Sequence, residues 1–193
     1  MATNTVAPQS KSLFTKMVRA AKLDVNLYEE VEHDSSVNGQ ALTVVAISGL
    51  ASGLGTGIAG LIVLSPIWFV WGLLIGLATS IGGWLIWSLV AYWLGTTVFK
   101  GPETEATYGQ LLRTIGFSNS PGVFRFFSFI PFLGWLVTLV ATGWSLVAGV
   151  IAVRQALDFD TGRAIATCVV GWLVYVLVLF LIPSLVIGGA VFF

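Results

Sequence analysis

Few residues in this 193-residue chain could do chemistry. It has one histidine, His33, and one cysteine, Cys168. His33 stands near Glu30 and Asp34, where an imidazole and two carboxylates could hold a metal ion weakly, although a solvated histidine accounts for it as well. Cys168 lies in an apolar run and reads as a small packing residue; a single cysteine excludes a disulfide scaffold and any multi-cysteine zinc or iron–sulfur site. Gly55-Thr56-Gly57-Ile58-Ala59-Gly60 matches the dinucleotide fingerprint formally. No strand pattern precedes it and no acidic residue follows at about 20 positions, so no nucleotide is expected there. There is no serine elbow, no carboxylate pair inside an apolar run, and no nucleophile placed beside the histidine. Proton-coupled transport lacks its side chains too, because the apolar spans hold no Asp, Glu, His or Lys. The reading is therefore of a non-enzymatic protein with no catalytic residue, no cofactor and no metal. The polar positions left over are Arg113 and Arg125, with Asn119 and Pro121 between them. Snorkelling toward a membrane face is the first explanation of the two arginines. The alternative is that the Ser118-Asn119-Ser120-Pro121-Gly122 break opens backbone groups to a cavity, as broken helices do in transporters.

The elements that must position these residues follow from where charge is absent. Hydrophobic residues make up 56% and charged residues 9%, against about 25% charged in an ordinary soluble domain. A lone soluble domain is excluded, and nine Lys/Arg against nine Asp/Glu excludes a basic nucleic-acid binder. Charges cluster before Gln40, between Lys100 and Arg125, and between Arg154 and Arg163. The uncharged blocks divide into spans of about 20 residues or more. Spans are expected at about 40–64, 67–98, 107–130, 131–153 and 164–192, the third broken and the first two parted at Ser65-Pro66. Span 67–98 would run about 48 Å, so it must tilt, bend at Gly82-Gly83 or project from the bilayer. Pro183 is expected to bend or interrupt the last span.

If 107–130 crosses, one side holds Lys11, Lys16, Arg19, Lys22, Lys100, Arg113, Arg154 and Arg163, and the other only Arg125. A re-entrant hairpin misplaces Arg154 and Arg163, so five crossings are preferred, with the N-terminus cytoplasmic and the C-terminus external in a cell membrane. Residues 1–12 have no apolar core, so the first span doubles as insertion signal. The fold class is thus all-α, a five-helix transmembrane bundle (40–193) behind a cytoplasmic segment (1–39). Within that segment residues 11–23 form an amphipathic helix, with Lys11, Lys16, Arg19 and Lys22 set to lie on an anionic membrane surface. The acidic Tyr28–Glu32 is expected in solvent or against a partner, and Asp160 is a candidate N-cap.

Gly49, Gly53 and Gly57 repeat every fourth position in the first span, as do Gly72, Gly76 and Ser80 in the second. In lipid, helices associate by close backbone approach at small residues, so these stripes serve packing between the two spans or a homodimer. Trp68, Trp71, Trp93 and Trp135 fit interface anchors, whereas Trp84, Trp87, Trp144 and Trp172 lie deeper and need N–H partners.

The run Tyr108-Gly109-Gln110-Leu111-Leu112-Arg113, Gly116-Phe117, Ser120-Pro121 resembles the polar connector of bacterial members of the YIP family of Ypt/Rab-GTPase-interacting membrane proteins. Trp144-Ser145-Leu146, Val153-Arg154-Gln155-Ala156 and Thr161-Gly162-Arg163-Ala164 resemble that family's loop between the fourth and fifth spans. The resemblance implies five helices, a cytoplasmic N-terminus and an external C-terminus, with no established catalytic residue. The eukaryotic members' long N-terminal domain is missing here, so binding of small GTPases is not expected to carry over. The expected function is a scaffold or accessory subunit touching membrane lipids and a membrane-protein partner or a second copy. A small-solute channel or transporter through the broken span is the alternative, and a lipid- or curvature-sensing protein the second alternative.

Overall fold

A computed structural model describes residues 12–63, 65–102 and 104–192; side chains are described through Leu177, apart from Val63. Every regular element among these residues is helical. Two short helices, α1 (Leu13–Ala21) and α2 (Val25–His33), precede α3 (Asn38–Val63) and α4 (Ile67–Trp93). Then come α5 (Tyr108–Ser118), a 3-10 segment (Ser120–Phe129), α6 (Gly134–Ala156) and α7 (Thr161–Phe192). Among the described residues three helices are long and apolar enough to cross a membrane: Ser35–Ile62, Ile67–Val98 and Gly134–Ala156. Thr161–Leu177 is a shorter apolar helix. Their surfaces carry many exposed large apolar side chains, Leu74, Leu89, Trp135 and Leu139 among them, the composition of a lipid-facing wall.

Chain chemistry sets the helix boundaries. Ser12 Oγ accepts from the Thr15 N–H at 3.3 Å to start α1, and Asp24 Oδ1 accepts from the Asn26 N–H at 3.1 Å to start α2. Asp160 Oδ1 accepts from the Arg163 N–H at 3.0 Å and opens α7. Thr107 and Gln110 close a reciprocal capping box on α5. Long α4 runs unbroken through Gly82-Gly83; its regular geometry changes instead in a π-helical turn at Leu94–Val98. Helix α7 continues through Pro183 without a break. The fourth apolar helix starts at Gly134 rather than at Pro131, because Phe132 takes a left-handed φ of 63° that ends the preceding turn.

The centre of the bundle is the α3–α4 pair, the most extensive contact in the molecule. A Cβ added at Gly53 would stand 2.7 Å from Gly72 O, and one at Gly76 would stand 2.6 Å from Gly53 Cα and 2.8 Å from Gly49 O. Gly57 faces Phe69 O in the same way, at 3.0 Å. The two glycine stripes therefore lie against each other inside one chain, and Ser80 Oγ donates across the seam to Val45 O at 3.1 Å. Helix α5 and the 3-10 segment pack lengthwise on α3 and α6, and α7 closes against α4 and α6.

Gly76→Leu should overpack this seam and lower stability by about 1–3 kcal/mol, visible as a reduced melting temperature in detergent. Gly82→Ala, whose new Cβ meets nothing within 4 Å, should leave stability unchanged or raise it by up to about 1 kcal/mol.

Candidate functional site

Two polar places stand out: a junction where α1 and α2 dock on the bundle, and a cavity inside it. At the junction, Arg113 of α5 is 7% exposed. Its Nε donates to Val31 O at 2.9 Å, Nη1 to Asn38 Oδ1 at 3.2 Å and Nη2 to Glu32 O. A guanidinium fork thus caps the last carbonyls of α2, where the helix dipole presents partial negative charge. Arg113 does not snorkel; it holds the N-terminal segment.

The carbonyls at the end of α1 are closed the same way. Tyr28 OH donates to Ala20 O at 3.2 Å and Trp144 Nε1 to Ala21 O at 2.7 Å. Gln110 Nε2 donates to Glu32 Oε1 at 3.0 Å, and Gln155 Nε2 to Glu29 Oε2 at 2.9 Å. The acidic stretch expected in solvent therefore lies partly inside: Tyr28 and Val31 are buried, and Glu32 is 3% exposed. The surface expectation for the basic residues meets a similar outcome. Lys16 is buried and donates to Gln40 Oε1 at 3.0 Å, and Arg19 pairs with Asp24 at 2.6 Å and Glu30 at 2.7 Å. These contacts arise because α1 and α2 fold back as a hairpin, which composition along a single helix does not reveal. Lys22 is exposed, and Lys11 lies outside the described residues.

Each connector residue now has a task. Tyr108 OH donates to Leu85 O at 3.0 Å, Leu111 is fully buried, and Leu112 O accepts from Trp84 Nε1 at 2.9 Å. Gly116 lets α5 approach α3, since a Cβ there would sit 2.8 Å from Ala41 Cβ. The break that follows is sealed rather than open. Ser118 Oγ and Asn119 Nδ2 donate to Ile115 O at 2.8 and 2.9 Å, Ser120 Oγ to Phe117 O at 2.7 Å, and Ser48 Oγ to Asn119 O at 2.8 Å. Pro121 stands in the first turn of the 3-10 segment, where its missing N–H is harmless.

Below the junction, α3, α4, α6 and α7 enclose a cavity of about 630 Å³, which also reaches Asn119 and Arg125. Cys168 lines it, as do Trp84, Trp87 and Trp172. Of the deep tryptophans, Trp84 and Trp144 have the N–H partners they require. His33 meets Glu29 and Glu32 rather than Glu30 and Asp34, with ligand-type atoms all within 4.8 Å of one another.

Compared with known families, residues 26–182 match the Yip1 domain, well over half of the chain. The chain belongs to the Yip1 domain family. No curated protein and no solved structure gave a match. Membership in a membrane-protein family agrees with the apolar helices, and the connector that carried the resemblance is the part of the Yip1 domain that clamps α2.

Arg113→Ala should leave two buried carbonyls without a charged donor and loosen α2 by about 2–3 kcal/mol, read as faster hydrogen exchange confined to α2. Burial, reinforced by Glu29 and Asp158 and opposed by His33 and Arg113, pushes the Glu32 carboxyl up to about 7. A raised carboxyl is protonated in the docked state while the free chain has already ionised. Docking is therefore strongest in acid and weakens as pH rises through about 7. Limited proteolysis after α2 should accelerate as pH rises from about 4.5 to about 7 in the native chain and level off above that, and Glu32→Gln should abolish the rise.

Proposed function

We propose that this Yip1 domain chain is a non-enzymatic scaffold or accessory subunit of a cell membrane, built as five crossings with a cytoplasmic N-terminus and an external C-terminus. One observation carries the reading: the N-terminal helices are fixed to the bundle end by Arg113, Trp144, Gln110 and Gln155. A rigid surface held at one end of a membrane bundle suits a protein that works by presenting a face to others. The lengthwise packing of α5 and the 3-10 segment on α6 supports a discontinuous third crossing over a re-entrant hairpin.

The solute-channel alternative relied on open backbone groups at the broken span. The carbonyls of Ile115, Phe117 and Asn119 are engaged, which counts against it. Lipid sensing through residues 11–23 relied on free basic side chains, and the engagement of Lys16 and Arg19 counts against that.

Native mass measurement after gentle extraction should show the chain in an assembly heavier than one copy, and a stable monomer without partners would sink the proposal. Orientation is tested separately with an impermeant maleimide on a Cys168→Ser background. A cysteine replacing Ser36 should be labelled only from the cytoplasmic side, and one replacing Phe132 only from outside.

A further inference from the structure

Arg125 is the arginine that the junction does not use. Its Nη1 lies against Gly122, 3.3 Å from where a Cβ would stand, in the corner where Ser48 also borders the cavity. Among the described residues no carboxylate is within ion-pair distance of this guanidinium and no oxygen accepts from it. The setting makes that costly. Ser48 lies about 15 Å along α3 from Asn38, well inside the bundle. A charge held at membrane depth is opposed by about 2.5–3.5 kcal/mol on insertion scales unless an anion or water meets it.

The shape of the space says what kind of anion would fit. About 630 Å³ falls within the range of small-molecule sites, roughly 300–1,000 Å³. Apart from Arg125, Asn119 and a scatter of hydroxyls, the walls are apolar and aromatic: Trp84, Trp87, Val150, Val169 and Trp172. The hydroxyls of Ser48, Thr79 and Ser80 are already spent on backbone carbonyls. The rim residues Leu146, Val169 and Trp172 are exposed although they sit within apolar helices, so the cavity opens sideways, toward hydrocarbon, between α6 and α7. A free inorganic anion would satisfy Arg125 but leave the apolar walls empty. An uncharged chain would fill the walls but leave the guanidinium bare.

We infer that the cavity binds an anionic phospholipid, its phosphate paired with the Arg125 fork and its acyl chain lying along the apolar walls out to the bilayer. The guanidinium presents parallel N–H donors that match phosphate oxygens. This site is independent of the scaffold reading, because it lies in the bundle and not on the α1–α2 surface.

Cys168, the chain's one cysteine, lines the cavity and reports on its occupancy. The full chain, delipidated in mild detergent, is titrated with phosphatidylglycerol while N-ethylmaleimide labelling of Cys168 is timed and native mass is recorded. The expected result is one retained lipid and slowed labelling. Arg125→Gln should weaken both on the order of tenfold or more, with Arg125→Lys in between. Gly149→Leu borders the cavity with nothing within 4 Å of its new Cβ, so it should fold normally and exclude the lipid while leaving Arg125 in place. Equal protection by diacylglycerol, or by inorganic phosphate alone, would overturn the inference. So would unchanged lipid retention in Gly149→Leu, a result that does not depend on whether the arginine variant folds.

Discussion

The rest of this structure depends on one constraint: a backbone carbonyl shielded from water must be answered by the protein itself. A continuous helix answers its own carbonyls, but every helix end and break leaves several open. This chain has short N-terminal helices and an α5 that gives way to a 3-10 segment, and it closes these openings with side chains, some local and some brought from other helices. Trp144 and Tyr28 close α1, Arg113 closes α2, and Ser118, Asn119, Ser120 and Ser48 close α5. These bonds supply more than satisfaction. Because Arg113 comes from α5 and Trp144 from α6, closing the carbonyls also fixes where α1 and α2 sit. Local capping and tertiary assembly are here the same set of contacts.

Much of this was legible before any coordinates. The uncharged blocks mark α3, α4 and α6, since a bilayer penalises charge wherever it falls in a span. The spacing of Gly49, Gly53 and Gly57 against Gly72 and Gly76 announces a seam, though only the fold decides that the seam lies within one chain. Ser118-Asn119-Ser120-Pro121 announces a break, since proline cannot continue the ladder. What stayed hidden were the destinations of long, flexible polar side chains. Lys16, Arg19 and Arg113 can each reach several ångströms in many directions, and their partners lie 24, 11 and 82 residues away. Periodicity along one helix carries no information about such pairings. The acidic run at Tyr28–Glu32 misled for a related reason: Glu29 and Glu30 face out while Tyr28, Val31 and Glu32 share the buried side.

Arg113 and Arg125 show how little residue type says about role. Both are arginines flanking one break, and both stand away from bulk water. One spends all three of its nitrogens on the protein, so that removing it unmakes a contact. The other borders an open space with its charge unanswered. A guanidinium saturated by carbonyls is part of the architecture, whereas one left facing a cavity is available for something that is not protein.

The α3–α4 seam has a consequence for how the molecule is made. With backbones this close and only a few residues joining Val63 to Ile67, neither helix offers lipid a complete surface until the other is beside it. The pair is therefore suited to leave the insertion machinery together, as a hairpin, rather than one helix at a time. Synthesis then presents the later helices with a preassembled template, and α5, itself too short to cross alone, finds α3 already there to receive it.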